Sequence, residues 1–118
     1  MSFLKDSTLL RHQSYIHGEW VGAQSGKTFP VFNPANNEIL AEVADCSAVE
    51  TESAIAAADA ALADWRAKTA TVRAGILRRW HGLILANAED LGLLMTLEQG
   101  KPLAEARGEV RYGASFIE

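Results

Sequence analysis

Apolar positions change their spacing once along this chain, near Cys46. Before it they come in short runs broken by turn residues, and after it they recur every three or four positions. The first part therefore predicts short strands and the second predicts helices. Residues 1–13 read as a polar lead-in. Tyr15-Ile16 and Trp20-Val21 then flank a His17-Gly18 pair, and Gly18 can take positive φ at little cost, which is a hairpin signal. Ser25-Gly26 marks a turn ahead of a short β run. Pro30 has no amide for a ladder, so that strand is an edge or is interrupted. The run "NPANNE" is a turn rich in Asn and Pro, and "ILAEVA" is a further short strand.

Ser47 and Glu50 fit a capping box, in which each side chain satisfies a free amide at a helix start. Behind it Ile55, Ala58, Leu62 and Trp65 form one apolar stripe, and the abundant alanine implies close packing against neighbours. Thr69 caps a second helix whose face holds Ile76, Leu77, Trp80, Leu83 and Ile84. Asn87 and Asp90 predict a break and a third helix, running through Leu91, Leu94 and Met95 to Glu98. Pro102 suits the first turn of a fourth helix, because its missing amide would have been unpaired there. Leu103, Ala106, Val110, Ala114 and Ile117 give that helix a clean stripe. It has neither a Gly or Asn cap nor a following Pro, so a helix cut before its natural end is expected.

Composition narrows the function. The 118 residues suffice for one domain with a modest core, and 48% hydrophobic against 22% charged residues is globular-type sequence. No internal repeat, low-complexity linker or domain boundary appears. A net charge of −4 disfavours a phosphate-tracking, nucleic-acid surface. The single cysteine excludes an internal disulfide and fits a reducing compartment, and no run approaches a membrane span; the cytoplasm is the simplest address. Arg66, Lys68, Arg73, Arg78 and Arg79, followed by Glu89, Asp90, Glu98, Glu105 and Glu109, read as a solvated face with local ion pairs.

Candidate chemistry is sparse. Gly100-Lys101 looks like the end of a phosphate loop. A Walker A loop, however, needs Gly where Met95 stands and Ser or Thr where Pro102 stands, and it should follow a strand. The better reading is a helix–helix joint, with Gly100 left-handed and Lys101 solvated. No Gly-x-Gly-x-x-Gly occurs among the nine glycines. Cys46 precedes a helix start but has no basic neighbour, so an inert thiol is expected. His12, His17 and His81 show no metal-ligand spacing and suit turns and surface.

The order of these pieces is nevertheless informative. Gly18-Glu19-Trp20, then Asn33-Pro34-Ala35 with Glu38, then an Ala-rich helix ending in Trp65, then Arg73-Ala74 with Ile76-Leu77, then Glu98 with Gly100-Lys101-Pro102, resembles the opening of the aldehyde dehydrogenase superfamily. The fuller string through Glu109 and Ser115-Phe116-Ile117-Glu118 is most similar to succinate-semialdehyde dehydrogenases of the bacterial NADP-preferring type. The resemblance covers residues 14–118. One departure is Val72, where that subgroup often has an acid that completes a capping box.

The resemblance implies an α/β fold class: the N-terminal part of the aldehyde dehydrogenase fold, a short hairpin and strands (14–46) followed by about four helices (47–118), as an incomplete domain. It implies an enzyme that oxidises succinate semialdehyde through a cysteine thiohemiacetal and hydride transfer to NADP or NAD, as a homo-oligomer. The cofactor core and catalytic domain are expected to be missing. Cys46 does not match the nucleophile motif. No catalytic, cofactor-binding or metal residue is therefore expected here, and this chain alone is expected to be inactive and to bind no cofactor, nucleic acid or membrane. Some superfamily members hold a structural monovalent cation, for which the Phe32 carbonyl and Glu109 are the nearest matches; otherwise Glu109 is an ordinary surface acid. Two other readings compete: a stand-alone helical interaction module docking through the Leu103–Ile117 face, and a nucleotide-binding protein using Gly100-Lys101.

Overall fold

The computed structural model describes residues 4–118. A 3₁₀ turn at Ser7–Leu9 comes first. Strands β1 (Ser14–Ile16), β2 (Glu19–Val21), β3 (Thr28–Phe32) and β4 (Ile39–Ala44) follow, then helices α1 (Ala48–Ala67), α2 (Ala70–Ala86), α3 (Ala88–Gln99) and α4 (Leu103–Ser115). The strands make two separate antiparallel pairs, β1 with β2 and β3 with β4. In the first pair Ser14 faces Val21 and the chain reverses through His17 and Gly18 at φ 53° and 81°. Both central residues of the turn are left-handed, which matches the twist of the flanking strands. The glycine is legible in the sequence; the strain taken by His17 is not. Pro30 sits within β3, opposite Glu42, in a sheet of only two strands, so its missing amide breaks no ladder on a third side.

Local chemistry places each helix end. The capping box at Ser47 and Glu50 is formed. Thr69 Oγ1 accepts the Val72 N–H at 3.3 Å. Asn87 separates α2 from α3, but its side chain donates back to the Leu83 carbonyl at 2.8 Å and does not cap α3. Gly100, at φ 77°, ends α3 and donates its N–H to the Thr96 carbonyl at 2.8 Å. Pro102 stands at the N-cap of α4, one residue earlier than its first-turn place, and its carbonyl accepts the Ala106 N–H at 3.0 Å. Helix α4 runs through Ser115, and Phe116 tightens the last turn by donating to the Gly113 carbonyl at 3.3 Å.

The buried apolar residues are Leu4, Ala41, Ala88, Ala106, Val110 and Ala114, and no large side chain is fully buried among the described residues. The packing centre is α4 laid against α3 and α2. Composition suggests a modest core, and the structure supplies a smaller one, lined mostly by alanine. The α1 stripe is the clearest departure from expectation. Helix α1 meets chiefly β1, and Ile55 and Leu62 remain 64% and 51% exposed. The radius of gyration is 16.6 Å, against roughly 13–14 Å for a compact domain of this length. The molecule is a slab with extents of 49 × 36 × 19 Å.

Gly92 sets the α3–α4 distance. A Cβ there would lie 3.1 Å from Arg107 Cγ and 3.3 Å from the Arg107 backbone nitrogen. Gly92→Ala is expected to destabilise the protein by roughly 1–3 kcal/mol, as overpacking does. Gly82→Ala, where nothing lies within 4 Å, should be neutral or stabilising by up to about 1 kcal/mol. Urea unfolding of the two variants, made in an intact enzyme carrying this segment, checks the contrast.

Candidate functional site

The Gly100-Lys101 joint, singled out by its phosphate-loop look, is wholly engaged within the chain. Gly100 closes onto the turn between β3 and β4, with Pro34 Cγ 3.1 Å from where its Cβ would be. The Gly100 N–H is spent on Thr96. Lys101 Nζ forms an ion pair with Glu109, so it is not the solvated residue expected. The phosphate reading fails on these contacts: one amide is used, the ammonium is neutralised by a carboxylate, and a helix precedes the glycine. Glu109, the nearest match for a cation ligand, has the lysine as its partner. A second pair, Arg107 Nη2 to Glu89 Oε2 at 2.6 Å, ties α4 to the first turn of α3.

Glu50 is the most strongly perturbed acid. It is buried, with 7% exposure. Its Oε2 accepts the Ser47 N–H at 2.7 Å and the Ser47 hydroxyl at 3.0 Å, and its Oε1 accepts the Gln24 N–H at 2.8 Å. The Ser47 amide, then the Gln24 amide, then the Ser47 hydroxyl hold its carboxyl down, at about 2 against an ordinary 4.5. The capping half of this arrangement is legible in the sequence. The reach to Gln24 is not, because no local spacing encodes it. Asp90, read as part of a solvated acidic face, is instead 6% exposed, and it accepts the Lys5 and Asp6 amides.

The remaining marked residues do not converge. Cys46 Sγ is half-buried, 3.3 Å from Ser14 Oγ. His12 Nδ1 lies 3.2 Å from the Glu42 carbonyl and His81 Nδ1 lies 2.9 Å from the Ala114 carbonyl. Among the described residues no three His, Cys, Asp or Glu side chains gather as a metal site, and no helix is long and apolar enough to cross a membrane.

What the slab does present is uncovered apolar surface. Val72, Trp80, Leu83 and Leu85 on α2 are 43–63% exposed, and Ile55 and Leu62 on α1 are comparably bare. The Leu103–Ile117 face, expected to dock a partner if the chain were an interaction module, is occupied internally: Ala106, Val110 and Ala114 are 0%, 8% and 1% exposed. That module reading loses the surface it named.

Residues 20–118 match the family model described as "Aldehyde dehydrogenase family". The chain belongs to the aldehyde dehydrogenase family. It is 56% identical over 115 residues to the glutarate-semialdehyde dehydrogenase of Pseudomonas aeruginosa, and 55% identical over the same length to the NADP-dependent succinate-semialdehyde dehydrogenase of Escherichia coli. Each alignment covers 98% of this chain and 24% of the relative. The solved succinate-semialdehyde dehydrogenase of Burkholderia pseudomallei superposes with a TM-score of 0.96 at 59% identity, over 99% of this chain and 24% of that one. The chain thus spans about a quarter of its relatives' length, and its strand pairs and four helices are the N-terminal part of the family fold.

Within this part of the family fold, Glu50 makes stability depend on acid. Its folded pKa of about 2 lies below the ordinary 4.5, so its contribution is complete above pH 4.5 and is lost as pH falls through about 2. Unfolding midpoints of an intact enzyme carrying this segment, measured across that window, should fall with pH. Glu50→Gln, which cannot titrate and must turn an amide NH₂ toward one of the donors, should start lower and lose most of that slope.

Proposed function

We propose that this chain is the N-terminal segment of an NAD(P)-dependent aldehyde dehydrogenase acting on a dicarboxylic semialdehyde, with succinate semialdehyde oxidised to succinate. The observation that carries the reading is the match to the Burkholderia pseudomallei succinate-semialdehyde dehydrogenase, at 59% identity with a TM-score of 0.96. The contact between Gly100 and Pro34 supports it, because it brings together two motifs that carry the resemblance, Asn-Pro and Gly-Lys-Pro. In such a reaction the aldehyde carbon loses a hydride to the nicotinamide and gains a water oxygen, leaving a carboxylate, the reduced cofactor and two protons.

The Gly100-Lys101 joint, with its amide spent on Thr96 and its ammonium on Glu109, does not fit a cofactor's phosphates, and this reading assigns no step of the reaction to residues 1–118. Their role is scaffolding. The bare faces of α1 and α2 are suited to packing on further family structure, since apolar patches of this kind are usually covered. The nucleophilic cysteine, the glutamate and the cofactor strands belong, in this reading, to the rest of a homo-oligomeric cytoplasmic enzyme. A glutarate-semialdehyde dehydrogenase is as similar to this chain as the NADP-dependent succinate enzyme is, so the choice between them rests with residues elsewhere.

The test is kinetic. An intact enzyme carrying this segment should reduce NADP with succinate semialdehyde, with a higher kcat/KM than for glutarate semialdehyde or with NAD. Residues 1–118 alone should give no turnover, bind an apolar dye and aggregate. A sharp cooperative melt of the isolated monomer, or an intact enzyme inert toward every semialdehyde of this class, overturns the reading.

A further inference from the structure

Asp90 lies in the first turn of α3 with 6% exposure, and no helix-capping duty uses its carboxylate. Its Oδ1 accepts the Lys5 N–H at 3.2 Å and its Oδ2 accepts the Asp6 N–H at 2.8 Å. These are main-chain amides 84 and 85 residues away in sequence, in a segment that joins no sheet. Leu4, just before them, is 8% exposed. Just after them, Asp6 accepts both the Thr8 N–H at 2.9 Å and the Thr8 hydroxyl at 2.6 Å, which winds the chain into the 3₁₀ turn. That turn places Leu9 at an open apolar groove of about 410 Å³ between α2 and α3, whose walls it shares with Trp80, Leu83, Ile84, Asn87 and Leu91.

We propose that residues 4–10 form a latched strap: Asp90 is the latch, and Leu9 is the wall that the strap adds to the open groove over the α2–α3 joint. An anion accepting two adjacent amides makes charge-assisted bonds, stronger than neutral ones. Losing only one of them leaves the carboxylate half-satisfied while still covered, so the two bonds hold or fail together. The strap makes no ladder to any strand that would hold it in their place. Its release removes the Leu9 wall beside Trp80, itself 55% exposed with the strap in place, and in this proposal leaves the α3–α4 packing intact. Segments held by few contacts open in this way without global unfolding.

Amide exchange and oxidative footprinting of the intact protein test this. Asp90→Asn should speed exchange across residues 4–10 by at least about tenfold, the effect of losing a hydrogen bond to a charged group. It should also raise labelling of Trp80 and leave exchange in α4 unchanged. Unchanged exchange at residues 4–10 overturns the latch. If Asp90→Asn also loosens α4, a chain lacking residues 1–10 decides the matter, because there Asp90 is kept and simply opens to water. Increased Trp80 labelling with α4 still protected supports the strap, and unchanged labelling overturns it.

Discussion

At Gly100 the backbone turns left-handed, and α3 gives way to α4 within three residues. A side chain with a Cβ meets two obstacles there: the left-handed region itself, which costs roughly 1–2 kcal/mol, and the ring of Pro34 at 3.1 Å. The reversal lays the small stripe of α4 along α3 and α2. It also brings the α4 C-terminus to His81 and the joint onto the β3–β4 turn. Lys101 with Glu109, and Arg107 with Glu89, sit on either side as partly exposed pairs, each worth about 0.2–1 kcal/mol, so they trim the geometry and do not create it.

Sequence reasoning reads local features well here and distant ones poorly. The hairpin at His17-Gly18, the box at Ser47 and Glu50, the Thr69 cap and the Gly100 stop are each written within four residues of where they act. Those are the distances over which propensity and capping operate. The stripe of α4 finds its partners because they lie in the same chain. The stripe of α1 is equally regular, yet Ile55 stays 64% exposed. Periodicity reveals that a face wants cover; it carries no information on whether this chain provides it. Asp90 was legible as an acid and nothing more, since its partners are amides more than eighty residues away.

The same asymmetry separates family from chemistry. Membership in the aldehyde dehydrogenases rests on residues that shape joints and turns, and these are present in order. The chemistry-bearing side chains are scattered by comparison: Cys46 lies half-buried beside Ser14, 3.3 Å from its hydroxyl. A slab 19 Å thick is less than two full layers of helix, at about 10–12 Å each, and it leaves the apolar surfaces of α1 and α2 bare.

The Glu50 contact bears on how this layout tolerates change. The carboxylate recognises position 24 only through its main-chain N–H. Nineteen of the twenty amino acids offer that same donor, and only proline withholds it. The acceptor is exacting, and the donor is nearly indifferent to side-chain identity. Position 24 can therefore drift almost freely while the loop it belongs to stays pinned to the head of α1, and a proline there would cut the tie as surely as losing the acid itself.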